Sequence, residues 1–144
     1  YSAPFIKIAS TVLPRLKEIY CGHAEQIDVS IKYDCVYSRS IFQYFANMQY
    51  ATSVVNRMLA KAKFSVGIFD VHDLSKKEEF ISFRKSVISD FEKKYDSDSH
   101  LFYERSFFEK IAEEQRCKVE FSRTSLPNYW NADFTYDVYF YKNA

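Results

Sequence analysis

The chain has 144 residues, which suits one domain with a sizeable core, and 47% of them are hydrophobic, which excludes a disordered composition. The net charge is +1 and neither a long basic run nor an apolar run of membrane length occurs, so we expect no nucleic-acid partner and no membrane association. Cys21, Cys35 and Cys117 are odd in number and widely spaced, which favours free thiols in a cytoplasmic protein.

The first half of the chain predicts two helices and three strands. A short helix capped by Ser2 is ended or kinked by Pro14, and residues 16 to 21 predict a strand that closes at Gly22. Residues 33 to 37 predict the next strand, and the compact apolar run at 64 to 70 is typical of a buried one. Between them Asn47 caps a predicted helix whose apolar residues recur at helical spacing: Tyr50, Ala51, Val54, Val55, Met58 and Leu59.

The second half predicts two helices followed by two strands. Ser75 to Glu78 form a capping box that opens an amphipathic helix, and a second helix follows at 104 to 115. The apolar residues of the first of these helices are Phe80, Phe83, Val87, Ile88 and Phe91. Residues 118 to 122 and 134 to 142 alternate as strands do, and no helix separates them, so they are expected to be antiparallel. The alternation of strands and helices predicts one α/β domain over residues 1–144, with its sheet covered on both faces.

Five short motifs, taken in order, resemble the later part of the class I S-adenosylmethionine-dependent methyltransferases. They are Y-S-x-x-x-I-x-x-A from Tyr1 to Ala9, a turn at Gly22, His23 and Ala24 followed by Glu25, Y-D-x-V-x-S from Tyr33 to Ser38, an aromatic segment at Gln43, Tyr44 and Phe45, and a strand-end acid, Asp70. The resemblance implies a Rossmann-like sheet of order 3-2-1-4-5-7-6 with an antiparallel last strand.

Two features of that family are missing from these residues. The chain has two glycines, Gly22 and Gly67, so it holds no glycine-rich loop, and the family's acid after strand two would precede Tyr1. The resemblance therefore implies an N-terminally truncated fold, the C-terminal two-thirds of the domain. The strand at 16 to 21 would then lack its neighbours, and we expect it to be poorly held or to slide beside the strand at 33 to 37.

The resemblance also implies the cofactor S-adenosyl-L-methionine and a set of residues to bind it. The adenine side would be formed by Tyr1, His23, Ala24 and Glu25, and the methionine end by the turn at Ser38, Arg39 and Ser40. Phe42 or Tyr44 would form a wall of the methyl-transfer pocket. The alternatives are a frayed terminus at Tyr1, an exposed loop histidine at His23, and a polar turn that feeds buried aromatic residues.

Polar residues at the end of the strand at 64 to 70 suggest the chemistry. His72 could take a proton from an acceptor, because its ordinary pKa is near neutrality, and Asp73 could orient it. The alternative is polarity at the entry to the next helix. Candidate substrate contacts are Asp70, Tyr103, Tyr129, Trp130 and Asn131, although such aromatic residues are more often packing. No metal site is expected, since the histidine spacing matches no ligand pattern.

The resulting hypothesis is methyl transfer to a small-molecule acceptor by a methyltransferase domain that is present here as a fragment, expected to be inactive on its own. The alternative is a non-catalytic remnant or interaction module that keeps the second half of the fold. A nucleotide-sugar enzyme ranks below both, because the chain lacks a Y-x-x-x-K motif. The sequence leaves open the identity of the acceptor, the atom that is methylated and the oligomeric state.

Overall fold

The computed structural model describes residues 3–13, 15, 19, 21–89, 91, 100–124 and 126–142. Tyr1 and most of the strand predicted at 16 to 21 lie outside these residues, and the described Ile19 and Cys21 belong to no strand. The helices are α1 (Ala3–Val12), α2 (Met48–Lys61), α3 (Lys77–Val87) and α4 (Arg105–Glu114). The strands are β1 (Tyr33–Arg39), β2 (Ala62–His72), β3 (Lys118–Arg123) and β4 (Thr135–Tyr141).

The four strands form one mixed sheet in the order β1-β2-β4-β3. β1 is parallel to β2, whereas β4 is antiparallel to both β2 and β3. In the family numbering these are strands 4, 5, 7 and 6, so the predicted order and the antiparallel finish are confirmed for the described strands. No helix in the described part of the chain is both long and apolar enough to cross a bilayer.

One face of the sheet carries the hydrophobic core. The stripe predicted on α2 is buried there except for Tyr50, which is half-buried, and α4 adds Phe108 and Ile111 to the same cluster. The strands contribute residues that alternate along β2 and β4: Val66, Ile68, Val138 and Phe140. Period-2 alternation in the strands and 3.6-residue spacing in the helices therefore bring one apolar layer together.

The opposite face of the sheet was expected to be covered by helices, and among the described residues this is wrong. Its centre carries an aromatic row across three strands, in which Tyr37 contacts Phe69 and Phe69 contacts Tyr139. Tyr37 is 73% exposed. The Phe69 ring folds over Gly67, so that a Cβ at residue 67 would lie 2.6 Å from its Cζ. The helices α2 and α4 lie on the other side, because their apolar stripes contribute to the same core cluster.

The predicted cap of α2 is confirmed. The Asn47 side chain accepts a hydrogen bond of 2.8 Å from the Tyr50 backbone N–H, which satisfies one of the free donors of the first turn. We expect Asn47→Ala to lower the free energy of unfolding by about 1 kcal/mol. Asn47→Asp keeps a capping oxygen and should stay close to the parent. Urea unfolding of both variants tests this, and an equal loss in both would argue against the cap.

The start of α3 differs from the predicted capping box. Asp73 is the capping residue of a short 3-10 turn over Leu74–Lys76, where its carboxylate accepts from both the backbone N–H and the hydroxyl of Ser75. Lys76 then precedes α3 without a side-chain cap. Ser75 cannot cap the helix as predicted because its hydroxyl is already turned back to Asp73. α3 ends at Val87 rather than continuing to Phe91.

Candidate functional site

Two cavities adjoin at the carboxyl ends of β1 and β2. The first, here called the Asp70 cavity, has a volume of about 470 Å³. The second, the His23 cavity, has a volume of about 680 Å³ and extends over Gly22 to Glu25. Tyr44 lines both of them and is 66% exposed. The carboxyl edge of parallel strands is where open α/β sheets bind ligands, so both cavities lie in the expected place.

The Asp70 cavity is polar on one side and apolar on the other. Its polar and charged lining residues are Ser40, Gln43, Asp70, His72, Arg84, His100, Tyr129 and Asn131. Its apolar side is formed by Phe80, Phe83, Val87, Ile88, Trp130 and the face of Tyr44. Small-molecule sites commonly combine such an apolar wall with a few placed polar groups, within volumes of about 300 to 1,000 Å³.

A bulge near the end of β2 directs Asp70 into this cavity. The pairing with β4 shifts register between Ile68 and Val71, and Asp70 has a left-handed backbone with φ of 64°. The Asp70 backbone N–H leaves the ladder and donates to Asp137 Oδ1 at 2.9 Å. Aspartate tolerates this backbone region better than most residues, and bulges commonly turn a side chain towards a site.

The Asp70 carboxylate accepts three hydrogen bonds from different elements. Oδ2 accepts from Ser40 Oγ and from the Tyr129 hydroxyl, both at 2.6 Å, and Oδ1 accepts from Asn131 Nδ2 at 3.1 Å. The carboxylate is 2% exposed, so these donors replace the water that it has lost. Burial and the bond to Asp70 raise the pKa of Tyr129 above its ordinary value. Asp70 thus joins the turn after β1 to the segment before β4.

His72 lies beside this network as a neutral ring. Burial, reinforced by the nearby His100, lowers its pKa to about 4, although the Asp70 charge acts in the opposite direction. Nε2 is 3.5 Å from Asn131 Nδ2, and Nδ1 is buried without a hydrogen-bond partner in the described part of the chain. A group with so low a pKa is a weak base at neutral pH. The geometry therefore favours a hydrogen-bonding role for His72 over the predicted general base.

Three predicted site residues occupy other environments. Asp73 does not bond to His72, because its carboxylate is turned to Ser75 and lies 3.2 Å from Arg105 in an ion pair. Tyr103 is fully buried in the core and donates its hydroxyl to the Phe42 carbonyl. Phe42 is itself a core residue rather than a pocket wall. Tyr103 and Phe42 share a cause, because both are aromatic residues that pack in the core, whereas Asp73 is held by Ser75 and Arg105.

Of the predicted cofactor residues that the structure describes, four line a cavity, whereas Ser38 and Arg39 line neither of the two. His23, Ala24 and Glu25 line the His23 cavity. Ser40 lines the Asp70 cavity, and the guanidinium of Arg39 lies 5.6 Å from the centre of the Tyr129 ring. The Ser38 hydroxyl, at the end of β1, is buried and has no hydrogen-bond partner within the described part of the chain.

Several residues of the Asp70 cavity were not predicted as site residues. Phe80 and Phe83 were expected to be core positions of their helix, yet Phe83 is 36% exposed and both face Trp130. Gln43 and His100 also line the cavity. A signal existed in the spacing of Phe80, Phe83 and Val87, which form a helix stripe, but a stripe that lines a cavity has the same period as one that packs in a core.

Among the described residues no cluster of three or more potential metal ligands occurs.

Similar solved structures are methyltransferases. The magnesium protoporphyrin IX methyltransferase ChlM from Synechocystis PCC 6803 with bound SAH matches 95% of this chain and 57% of its own, with a TM-score of 0.64 and 8% identity. The same enzyme with bound SAM matches 95% and 52%, with a TM-score of 0.59 and 11% identity. The plantazolicin methyltransferase BpumL, in complex with a triazolic desmethylPZN analog and SAH, matches 99% and 65%, with a TM-score of 0.66 and 15% identity.

At these low sequence identities, the similarity to the three structures is a similarity of fold. The chain spans between about half and two-thirds of the length of each of these structures. No protein-family model and no curated protein sequence matches it.

Proposed function

We propose that this chain, which has the fold of the class I S-adenosylmethionine-dependent methyltransferases, takes part in methyl transfer from S-adenosylmethionine to a small-molecule acceptor. The observation that carries the proposal is the pair of adjoining cavities at the carboxyl ends of β1 and β2, which meet at Tyr44. A two-substrate reaction needs two neighbouring sites that open towards each other, because the reacting atoms must come within contact distance.

The His23 cavity would hold the nucleoside part of the cofactor. Its lining offers aromatic and aliphatic surface from Tyr44, Phe45 and Ile27 for a flat ring, and the Glu25 carboxylate as an acceptor. The residues present therefore fit part of the cofactor, without the glycine-rich loop that the family uses.

The Asp70 cavity would hold the acceptor. S-adenosylmethionine, when bound, supplies a methyl group that is already activated on a sulfonium sulfur. The task left to this chain is to place the acceptor and to exclude water, and the apolar side of the cavity suits both. The Asp70 carboxylate would hold Ser40, Tyr129 and Asn131 in place, whereas the neutral His72 would contribute a hydrogen bond rather than remove a proton.

We expect S-adenosylhomocysteine to bind the 144-residue chain and Tyr44→Ala to weaken that binding about five-fold, since an aromatic contact contributes about 1 kcal/mol. Isothermal titration calorimetry measures both. Tyr37→Ala is the matched control, because it removes the same side chain from the opposite face of the sheet and lines neither described cavity. Its affinity should equal that of the parent.

The alternative function is an interaction module that keeps the fold without the cofactor. It is supported by the missing glycine-rich loop and by the aromatic row on the sheet face at Tyr37, Phe69 and Tyr139. If neither the folded 144-residue chain nor a longer protein that contains it binds S-adenosylhomocysteine, this alternative is favoured. Equal weakening by Tyr44→Ala and Tyr37→Ala would remove the His23 cavity as the binding place.

A further inference from the structure

We infer, on the basis of the proposed function, that the acceptor is a planar aromatic compound with an amino group, whose two N–H bonds are accepted by the side-chain carbonyls of Gln43 and Asn131. Both residues line the Asp70 cavity and both are more than nine-tenths buried, at 4% and 3% exposed. Neither carbonyl oxygen accepts a hydrogen bond from the described part of the chain.

The orientation of the Asn131 amide follows from its neighbours. Its Nδ2 donates to the Asp70 carboxylate at 3.1 Å and approaches His72 Nε2 at 3.5 Å. Rotating the amide by half a turn would set its carbonyl oxygen against the Asp70 carboxylate, which would be repulsive. The nitrogen is therefore committed to Asp70, and the oxygen is left as an acceptor.

The same reasoning holds for Gln43. Its Nε2 donates to the Ser40 carbonyl at 3.1 Å, and a rotated amide would bring two carbonyl oxygens together. The two side chains thus have their donors occupied within the protein and their acceptors unpaired. A ligand that supplies N–H donors gains two hydrogen bonds here, whereas one that presents only acceptors leaves these buried carbonyls unpaired.

The apolar side of the cavity selects a flat ring. Trp130 is nearly parallel to Phe80 and Phe83, with interplanar angles of 22° and 19° and centroid distances of 6.4 and 6.0 Å. A ring inserted between two others needs two contacts of about 3.5 to 4 Å, so these gaps are too narrow and a ligand ring must lie against the group. Trp130 is 56% exposed, which leaves it surface for such a contact.

A matched pair of small molecules tests this chemistry. 3-Aminoquinoline and 3-methylquinoline have nearly the same size and shape and are both uncharged at neutral pH, but only the first carries an amino group. Trp130 is the single tryptophan of the chain, so its fluorescence reports on the cavity, and calorimetry gives the affinities. We expect the amino compound to bind about ten-fold more tightly, which corresponds to two modest hydrogen bonds.

Three variants locate the preference. Gln43→Met and Asn131→Leu should each reduce the preference for the amino compound to about three-fold or less. The affinity of 3-methylquinoline should stay within about two-fold of the parent, which shows that the variant is folded and its cavity intact. Gln49→Met is the control, because it makes the same change at an exposed residue of α2 that lines neither described cavity.

Equal binding of the two quinolines by the parent would overturn the inference, as would no binding of either. A preference that survives both Gln43→Met and Asn131→Leu would overturn the assignment to these carbonyls. The S-adenosylhomocysteine titration is run in parallel and separates the two proposals. If S-adenosylhomocysteine does not bind while the preference for the amino compound is found, the methyl-transfer proposal fails and the inference about the Asp70 cavity stands. If S-adenosylhomocysteine binds while the two quinolines bind equally, the inference fails and the methyl-transfer proposal stands.

Discussion

Asp70→Ala is expected to lower the free energy of unfolding by about 3 kcal/mol, because it leaves one buried donor and two half-buried donors without their acceptor. These are Ser40 Oγ, the Tyr129 hydroxyl and Asn131 Nδ2. Alanine also tolerates the positive φ of residue 70 less well than aspartate does. The loss is a large part of the roughly 5 to 15 kcal/mol that stabilises a typical domain. Urea unfolding followed by circular dichroism measures it.

Asp70→Asn is the companion variant. Asparagine has the same shape, tolerates the left-handed backbone and keeps one acceptor oxygen, so we expect it to lose less than half as much stability as Asp70→Ala. A loss below about 1 kcal/mol for Asp70→Ala would mean that the three donors find other acceptors. Equal losses for both variants would mean that the charge, rather than the number of bonds, stabilises the site.

Acidification is expected to destabilise the protein through His72. Its pKa is about 4 in the folded chain against an ordinary value of 6.5, so the unfolded chain binds the proton more readily between these values. Stability is therefore unaffected by this group above pH 6.5 and falls as the pH drops towards 4. This shift in pKa corresponds to a loss of about 3 kcal/mol in the free energy of unfolding between pH 6.5 and pH 4. The pKa of His100 is also lowered, mainly by burial, and acts in the same direction.

His72→Phe isolates this contribution. Phenylalanine does not titrate and suits the ring contacts that His72 makes with Phe80 and Phe102. The difference in unfolding free energy between parent and variant should change steadily between pH 7 and pH 4.5, whereas titrating groups that do not interact with His72 cancel in it. A difference that stays constant with pH would show that His72 keeps its ordinary pKa when folded.

The framework of the fold could be predicted because its signals are local and periodic. The α2 stripe from Ala51 to Leu59 became the core layer, and Asn47 became its cap. The strand order of β1, β2, β4 and β3 came instead from the resemblance, since no local pattern in a strand states which neighbour it will pair with. The uncovered sheet face was missed for the same reason, because strand alternation shows two faces but not what lies on each.

The candidate site was predicted only in part. Asp70, Tyr129 and Asn131 were named and meet in the structure, whereas the bulge that turns Asp70 into the cavity has no sequence signal, because its residue is not a glycine. Asp73 was assigned to His72 on sequence proximity, yet neighbouring residues on a strand point to opposite sides. The aromatic side from α3 was taken for core, since periodicity reports that a face is apolar and not what it contacts.

The close approach of Phe69 to Gly67 has an evolutionary consequence. Any side chain at residue 67 must displace the Phe69 ring, which would then leave Tyr37 and Tyr139 as well. The ring tip can swing outwards, so the obstacle is one of packing rather than of backbone. A smaller residue at position 69 removes this displacement altogether. Substitutions of Gly67 are therefore expected more often in lineages where residue 69 is already smaller than phenylalanine.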